Sequence, residues 1–430
     1  MKSENNLEEL DMSFSEWRKI ELGELIDSIS IKHKFDKNQL IFLNTSDVLE
    51  GKVLHQNYSD INTLPGQAKK SIKKGDILFS EIRPKNKRFA LVDFDADDYV
   101  VSTKLMVLRR KNSLIDNLFL YKYLTSDRIL EELQFIAEGR SGTFPQITFN
   151  ELKSLKISLP LLNEQKAIVD ILSSLDDKIE LNNQMNKTLE EMAQALFKRW
   201  FVDFEFPNEE GQPYKSSGGE MVESELGMIP KGWNIKLASE VVDVKDGTHA
   251  SPKVVNEGYP LITSKHINGD RLRIEEANLI SETDYVEVNK RSKVDTGDIL
   301  ISMIGTVGLL YYVQDLDVNF AIKNLGLFKT SKTVEMQEYI YLYLKQTSMK
   351  NYIECRLAGT TQKYISLTEL RKIPVLLPTC DLLHTFKEKI EPLLKMKQEN
   401  INQNQSLVNI RSTLLPKLMS GEIRVSDFES

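Results

Sequence analysis

Residues able to carry out catalysis are few in this sequence, and they form no complete catalytic pattern. Asp243 and Lys245 give the D-x-K fragment of one nuclease type, without the paired acids that such a site needs ahead of the lysine. His249 has no nearby histidine or cysteine to complete a metal site. Cys355 and Cys380 are too few for a disulfide framework or a thiolate zinc site. The sequence therefore predicts no catalytic residue and no metal ligand.

The motifs of two nucleotide-dependent activities are also absent. No G-x-x-x-x-G-K-[ST] loop occurs, so ATP binding of the P-loop type is not expected. No Pro-Pro dipeptide occurs, so the Asn/Asp-Pro-Pro-Tyr motif of adenine methyltransferases is absent. These absences favour a binding protein over an enzyme.

The distribution of charge indicates what such a protein would bind. The net charge of −7 is concentrated in residues 1–12 and 202–230, while residues 69–88 are strongly basic. The basic residues of that segment are Lys69, Lys70, Lys73, Lys74, Arg83, Lys85, Lys87 and Arg88. Such a run is either a solvated face or a surface that contacts phosphates.

The compartment is predicted from what the sequence lacks. No apolar run reaches the roughly 18 residues of a membrane helix. The start, MKSENNLEELDM, is acidic where a signal peptide would be basic and then apolar. We therefore expect a reducing, cytoplasmic setting.

The elements that position these residues occur twice. LNTSDVLEGKVL (43–54) returns as LITSKHINGDRL (261–272), and GDILFSEIR (75–83) returns as GDILISMIG (297–305). SGTFPQITFNELKSLKISLP (141–160) returns as GTTQKYISLTELRKIPVLLP (359–378). Most blocks are 218 residues apart, which is too long for a solenoid unit. Each copy has short β-type runs followed by one long helix, expected to begin near Asn163 and near Asp381.

Both helices carry a coiled-coil seam, in which apolar side chains recur in alternating steps of four and three. The first seam comprises Ile168, Leu172, Leu175, Ile179, Asn182, Asn186, Leu189, Ala193, Leu196 and Trp200. The second comprises Phe386, Ile390, Leu393, Lys397, Asn400, Asn404, Leu407, Arg411, Leu414 and Leu418. The alternative is an amphipathic helix that lies on its own domain.

The seam asparagines favour pairing of the two helices. Asparagine in a dry core is unfavourable unless another polar group meets it. Both asparagine pairs lie near mid-helix, so an antiparallel overlay brings Asn182 to Asn404 and Asn186 to Asn400. The predicted fold is α+β: two similar β-rich globular domains joined by two long helices in an antiparallel coiled coil, with pseudo-two-fold symmetry.

In this arrangement the chain resembles the specificity subunit of type I restriction–modification systems. The resemblance covers essentially the whole chain. It rests on LPLLNEQKAIVDILSSLDDKIELNNQMNKTLEEMAQALFKRWFVDFEFP (159–207), SSGGEMVESELGMIPKGW (216–233), DGTHASP (246–252), GDIL in both copies and LLPKLMSGEI (414–423). Each motif alone is weak, but their order and duplication are specific.

The resemblance implies that each β-rich domain is a target recognition domain that reads one half of a bipartite DNA site. It implies that the helices are a spacer and a docking surface for two methyltransferase subunits, and that restriction subunits join the complex. S-adenosylmethionine, ATP and Mg are then expected on the partner subunits and none in this chain. The alternative is a duplicated coiled-coil scaffold that binds other proteins and no DNA.

With the resemblance, the candidate DNA contacts are the basic run, the repeated Thr-Ser fragments, the Gly-Thr loops and DGTH. They are Lys73, Lys74, Arg83, Lys85, Lys87, Arg88, Thr45, Ser46, Thr263, Ser264, Lys265, His249, Thr143 and Thr360. For each Gly-Thr loop a plain turn is the alternative, and for His249 the alternative is packing beside a turn at Asp246 and Gly247.

The expected domain boundaries follow from these patterns. They are an N-terminal tail (1–12), target recognition domain 1 (13–158), spacer helix 1 (159–205), an acidic linker (206–229), target recognition domain 2 (230–378), spacer helix 2 (379–423) and a C-terminal tail (424–430). Aromatic residues at 200, 201, 204 and 206 crowd the exit of the first helix. They are either core or an anchor for a partner subunit.

Overall fold

The computed structural model describes residues 17–139 and 145–428, so the expected tail at 1–12 lies outside the described residues. The chain divides into two compact units: unit 1 contains residues 1–179 and 406–430, and unit 2 contains residues 180–405. Each unit holds one β-rich head and a stretch of each long helix. We call residues 18–159 head 1 and residues 234–377 head 2.

The described residues of head 1 form twelve short strands and four helices, and the first long helix follows them. The strands are β1 Arg18–Glu21, β2 Ile26–Ile29, β3 Gln39–Leu43, β4 Val48–Leu49, β5 Lys52–Val53, β6 Tyr58–Asp60, β7 Ala68–Ser71, β8 Ile77–Ser80, β9 Phe89–Leu91, β10 Tyr99–Ser102, β11 Leu105–Arg110 and β12 Lys156–Leu159. The helices are α1 Leu22–Leu25, α2 Asn117–Leu124, α3 Asp127–Glu138, α4 Phe149–Lys153 and the long α5 Leu162–Phe201.

The second half of the chain has a similar order, with one helix in the place of the strand β7 and an additional hairpin before the head. Its strands are β13 Met221–Ser224, β14 Gly227–Pro230, β15 Asn234–Leu237, β16 Val244–Asp246, β17 Tyr259–Ile262, β18 Ile267–Asn268, β19 Arg271–Leu272, β20 Asn278–Ile280, β21 Ile299–Ser302, β22 Leu310–Tyr312, β23 Ala321–Ile322, β24 Leu325–Phe328 and β25 Pro374–Leu377. Its helices are α6 Ala238–Val241, α7 Glu282–Ser292, α8 Gln337–Lys345, α9 Thr347–Glu354, α10 Leu367–Arg371 and the long α11 Cys380–Ser420.

The two heads share one sheet topology. A sheet in the order β2-β11-β8-β9 in head 1 matches β16-β24-β21-β22 in head 2. A second sheet, β6-β3-β10-β7, matches β20-β17-β23, and both contain one parallel pair. The first and last strands of each head pair antiparallel, as β1 with β12 and β15 with β25. Each head is therefore closed by its own ends.

The duplicated GDIL segment is a turn that starts the central strand of each head. Gly75 and Gly297 have φ of +92° and +89°, a left-handed conformation that glycine adopts without strain. The following aspartates accept the backbone N–H three residues upstream, Asp76 from Lys73 at 2.9 Å and Asp298 from Asp295 at 2.7 Å. The glycine is needed for its left-handed backbone conformation, and the aspartate is needed to accept the backbone hydrogen bond.

The same aspartates are fully buried, and each binds a cation in its own head. Asp76 is held by Arg109 through two hydrogen bonds, from Nε at 2.6 Å and from Nη2 at 2.8 Å. Asp298 accepts from Lys329 Nζ at 2.5 Å, and Lys329 is only 4% exposed. A buried carboxylate requires such pairing, because an uncompensated charge in the core is strongly destabilising.

The helices α5 and α11 run antiparallel in both units. In unit 2, Asn400 Nδ2 donates to Asn186 Oδ1 at 3.0 Å, and Glu190 meets Lys397 one turn further along. In unit 1, Arg411 donates to Asp176 at 2.5 Å. Together with the two β-rich heads, this pairing confirms the predicted α+β class.

The predicted helix ends need small corrections. Asn163 and Asp381 are the second residues of their helices and not the N-caps, a difference within the usual uncertainty of helix boundaries. The first helix ends at Phe201 and not near 205, because Phe204 takes a left-handed φ of +62° and the chain turns back. Gly421, with φ of +78°, follows the end of α11 in the same way.

The segments predicted as an acidic linker and a C-terminal tail contain ordered elements. The expected linker at 206–229 contains most of an antiparallel hairpin, β13 with β14. The expected tail begins with Arg424, whose guanidinium donates to Glu164 and lies 5.6 Å from the ring of Trp17. Hydrogen bonds and an ion pair order these polar segments.

The aromatic residues at the exit of α5 form core and are not open. Trp200 and Phe201 are each 4% exposed, and Phe206 is 8% exposed. Phe206 stacks on Trp233 at 5.2 Å between ring centroids and on Tyr214 at 4.6 Å. Core packing is therefore the correct alternative for these buried rings, and it places them inside unit 2.

In the first repeated fragment, the structurally equivalent residues are shifted by one position from the sequence alignment. Asn44 and Thr263 cap the equivalent short 3₁₀ turns, although the sequence match pairs Thr45 with Thr263. The hairpin turn that follows reads Glu50-Gly51 in head 1 and Gly269-Asp270 in head 2. The glycine changes place within the turn, so the identity that aligned the fragments is not a structural equivalence.

We expect Lys329→Met to lower the free energy of unfolding by about 3–5 kcal/mol, because it leaves the buried Asp298 carboxylate without its cation. Lys332→Met is the matched control: Lys332 is 62% exposed and pairs with Asp243 at 2.8 Å, so its loss should leave the free energy of unfolding nearly unchanged. Denaturant unfolding of both variants measures the difference. Equal losses of unfolding free energy in the two variants would contradict a stabilising role of the buried Lys329–Asp298 pair.

Candidate DNA-recognition surfaces and helix seam

The basic segment of head 1 presents three exposed lysines on two turns. Lys73 and Lys74 are exposed on the turn between β7 and β8. Lys85 is exposed on the 3₁₀ turn Pro84–Asn86, whose backbone is held by Gln134 at 3.2 Å. The exposed Arg83 precedes that turn with a left-handed φ of +46°. These positions suit contact with a phosphate backbone.

Other cations of the segment are occupied within the head. Lys70 is buried and donates to the carbonyl of Leu105 at 2.8 Å, and burial lowers the pKa of its ammonium. Lys87 pairs with Asp127 at 2.9 Å. Arg88 donates to the carbonyl of Ser46 at 2.9 Å. The segment is therefore not one continuous basic face.

Residues 31–37 form a basic edge that the sequence reasoning missed. The backbone N–H of His33 donates to the carbonyl of Lys69 at 2.8 Å, so this loop lies beside β7. Lys32 and Lys34 are exposed there, next to the exposed Lys69, and a cavity of about 330 Å³ opens against the loop. His33 itself is buried, and burial lowers its pKa. The signal was present in the sequence as IKHKFDK.

The repeated Thr-Ser fragments lie on short 3₁₀ turns. The backbone N–H of Thr45 donates to Oδ1 of Asn44 at 2.8 Å, and Ser46 is exposed. In head 2, Ser264 and the exposed Lys265 occupy the equivalent turn. Both turns precede the small hairpin of their head.

Thr263 is held in place by a buried histidine. Its N–H donates to Nδ1 of His266 at 2.9 Å, and His266 is 1% exposed. Burial lowers the pKa of His266, which favours the neutral ring that can accept this bond. Thr263 therefore has a structural role, whatever else its hydroxyl contacts.

His249 lies between an acid and an amide. Its ring nitrogens are 3.0 Å from Asp246 and 2.8 Å from Asn324, and the side chain is 61% exposed. Asp246, expected in a turn, is the last residue of β16 and also pairs with Arg291. No cluster of three metal-binding side chains occurs among residues 17–139 and 145–428.

Only the second of the two Gly-Thr loops lies within the described residues. Gly359 has φ of +91° and Thr360 is exposed, at the tip of a small loop closed by Ala358 and Tyr364. Thr143 lies outside the described residues. In both heads the residues after this loop bridge to the end of the central strand, Gln146 to Ile82 and Tyr364 to Ile304.

The seam asparagines are joined by their side chains. Asn182 Nδ2 donates to Asn404 Oδ1 at 2.9 Å, and Asn404 Nδ2 donates to Asn183 Oδ1 at 2.9 Å. Asn182 is fully buried, and Asn186 and Asn400 are partly buried. Each amide offers both donor and acceptor, so the pairs satisfy most of one another's groups across the seam; among the described residues, the buried Oδ1 of Asn182 has no hydrogen-bond partner.

Within the described part of the chain, no helix is long and apolar enough to cross a membrane. The family model described as "Type I restriction modification DNA specificity domain" matches residues 14–191 and again residues 230–406. The chain belongs to the type I restriction–modification specificity family. Its two matches coincide with the two copies that the sequence repeats predict, and the resemblance stated from the motifs is confirmed.

Two relatives are similar along much of this specificity subunit. The HindI type I restriction enzyme specificity subunit of Haemophilus influenzae is 33% identical over 468 aligned residues, covering 95% of this chain and 100% of that protein. The MjaIX specificity subunit of Methanocaldococcus jannaschii is 30% identical, covering 72% of this chain and 69% of that protein.

A solved structure shares the fold. The type I restriction-modification S subunit from M. genitalium matches with a TM-score of 0.57 at 17% identity, covering 95% of this chain and 97% of that one. At this identity the match concerns the architecture alone.

We expect Asn186→Leu to lower the free energy of unfolding by about 1–3 kcal/mol, because it leaves the Asn400 amide without its acceptor. The double variant Asn186→Leu/Asn400→Leu should recover most of the loss or exceed wild-type stability, since both polar partners are then gone. Denaturant unfolding of the single and double variants tests this. A double variant as unstable as the sum of two singles would show that the amides do not pair in solution.

Proposed function

We propose that this specificity subunit is a non-catalytic DNA-recognition protein in which each head reads one half of an asymmetric bipartite site. The observation that supports it is one scaffold carried twice with different surfaces. Two copies of a scaffold are useful for reading DNA when the side chains on them differ, because base contacts specify and phosphate contacts position.

The two heads differ at the edge of their second sheet. Head 1 carries the strand β7 there, with the exposed Lys69 and the turn to Lys73 and Lys74. In head 2 the helix α7 lies against β23 at the corresponding place.

The cations of that region in head 2 are paired with acids. Arg291 pairs with Asp246, and Lys293 pairs with Asp295 at 2.9 Å. Different side-chain sets on equivalent edges are what two different half-sites would require.

The long helices would serve as the docking surface for two methyltransferase subunits. Leu181, Met185 and Met192 on α5 are 50%, 37% and 50% exposed, at spacings that share one helix face. Exposed apolar side chains grouped on one face are typical of protein interaction sites. Restriction subunits complete the proposed complex.

The chemistry of the complex is assigned to its partners. S-adenosylmethionine, ATP and Mg would be bound by the methyltransferase and restriction subunits, with no cofactor in this chain. A cytoplasmic location is part of the proposal, because the DNA to be read lies in that compartment.

The experiment that tests the proposal is DNA binding by the complex with its methyltransferase subunits, measured against salt concentration and sequence. The proposal requires binding that weakens with salt and depends on sequence. Equal affinity for all sequences, or no binding, would favour the scaffold alternative.

Removing charge from the exposed lysines of head 1 should weaken binding at every sequence. For Lys73→Gln/Lys74→Gln/Lys85→Gln we expect the slope of log K against log salt to become shallower by up to about 3, at about 0.9 per lost phosphate contact. The half-site preference should stay the same. The matched control, Lys198→Gln/Lys231→Gln/Lys332→Gln, removes three lysines that pair with acids on the surface. An unchanged slope in the first triple variant would make these lysines a solvated face.

Exchanging residues 13–158 for those of a relative should change one block of the methylated site and leave the other intact. The reason is that each head is closed by its own terminal strands. Methylation mapping of the chimaera reads out both blocks, and a change in both would contradict independent reading.

Inserting one heptad in each long helix should lengthen the unread gap without altering either block. Seven helical residues add about 10 Å, or roughly three base pairs at about 3.4 Å each. Methylation mapping measures the gap. A rewritten block with an unchanged gap would contradict the role of the helices as a spacer.

A further inference from the structure

Unit 2 contains a closed ring of four alternating charges at the contact between head 2 and the helix pair. Glu190 on α5 binds Lys397 on α11 at 2.6 Å and Lys345 at the end of α8 at 2.7 Å. Asp270, in the turn between β18 and β19, binds Lys397 at 2.6 Å and Lys345 at 3.5 Å. We call these four residues the charge ring. It connects both long helices to two elements of the head.

The charge ring is largely withdrawn from solvent. Lys397 is 7% exposed, Glu190 16%, Lys345 20% and Asp270 35%. Burial opposes ionisation of both acids, but the two lysines keep the pKa of Glu190 and of Asp270 below their ordinary values. Tyr341 adds a hydrogen bond from its hydroxyl to Asp270 at 3.0 Å. The ring is therefore charged and internally neutral.

A small cavity borders the charge ring but cannot explain it. The cavity has about 10 Å³, beside Asp270, Lys397 and Tyr341. That is room for about one water molecule. That volume leaves no room for a larger ligand, so we interpret the ring as a contact that holds the elements together.

Head 1 lacks this arrangement at the equivalent turn. Gly51 stands where head 2 has Asp270, and a side chain there would meet the Tyr121 hydroxyl, 2.6 Å from an added Cβ. Head 1 is tied to its helices by Asp176, which pairs with Lys122 on α2 and with Arg411 on α11. That contact does not include the hairpin turn, so the attachment of the turn to the helices is a property of head 2.

A contribution to stability alone does not explain why four charged residues occupy this position. Replacing buried ion pairs by apolar side chains of similar volume is often neutral or stabilising. Charged groups with fixed hydrogen-bonding geometry do define one relative position of the elements that carry them, because a shifted position leaves a charge unpaired. The ring joins four elements and so restrains rotation of head 2 on the seam.

We propose that the charge ring sets the angle of head 2 on the α5/α11 seam and thereby selects the number of base pairs between the two half-sites. This inference rests on the proposed bipartite reading. Glu190, Asp270, Lys345 and Lys397 are positioning residues in it, and none of them reads a base. Breaking the charge ring leaves the sequence of both half-sites unchanged. It allows the complex to accept more than one gap length.

The test uses the full chain assembled with its methyltransferase subunits. The substrates are plasmids carrying the two wild-type half-sites at the wild-type gap and at one base pair more or less. For Asp270→Asn, the ratio of methylation at the correct gap to that at the altered gaps should fall about tenfold, with the same half-site bases. Lys397→Met removes a buried cation but keeps an unbranched side chain only one atom shorter, and it should give the same fall. The double variant should show no larger fall, because the ring is already open.

The matched control is Asp243→Asn, which removes the acid of an exposed ion pair in the same half of the chain. It should keep the wild-type ratio. A ratio within twofold of wild type in either ring variant that assembles overturns the proposal, and so does a change in half-site bases. Failure of both ring variants to assemble, when the control assembles, makes the ring a folding requirement and also overturns it. If the wild-type complex methylates no bipartite site, the proposed function fails instead.

Discussion

Pairing of amide side chains across the helix seam is the constraint on which the other contacts of the long helices depend. An asparagine in a seam is tolerated when another polar group meets it, so Asn186 against Asn400 selects one antiparallel register. In that register Glu190 meets Lys397 in unit 2, and Asp176 meets Arg411 in unit 1. A shift by one turn would leave these groups without partners.

Within each head, the buried aspartate of the GDIL turn has a similar role. One carboxylate ends the turn, precedes the central strand of a sheet and binds a cation that lies in or directly after the neighbouring strand. The cation differs, Arg109 in head 1 and Lys329 in head 2, while the geometry of the turn is kept. Scaffold and surface can therefore change separately: β7 gives way to α7 at one sheet edge, and the closure of each head stays the same.

The sequence predicted the parts of the structure that have a periodic or repeated signal. Seam positions such as Leu172 and Ile390 are buried, and the asparagine pairs face each other. Identity alone misaligned the Thr-Ser fragment, since a glycine exchanged places within a two-residue turn. Charge counting could not show that Lys70 is buried against backbone carbonyls, because burial depends on which sheet covers the strand.

Contacts between head 2 and the long helices had no sequence signal. Asp270 and Glu190 carry no motif, and their meeting depends on the folded positions of α5 and a hairpin turn. The basic edge at residues 31–37 was visible as composition, but only pairing beside β7 groups Lys32 and Lys34 with Lys69. Sequence reasoning therefore found the framework of the candidate site and missed much of its surface.

The antiparallel pairing also constrains how the chain is made. The first half of α5 buries Ile168 and Leu172 in a cluster that includes Leu418 and Met419 from the end of α11. During synthesis those last residues leave the ribosome about 240 residues later, which takes on the order of tens of seconds at roughly 5–20 residues per second. For that interval this stripe packs on head 1, but its contacts with α11 are missing. The nascent chain is thus most exposed to aggregation, and most in need of chaperones, after its first half is complete.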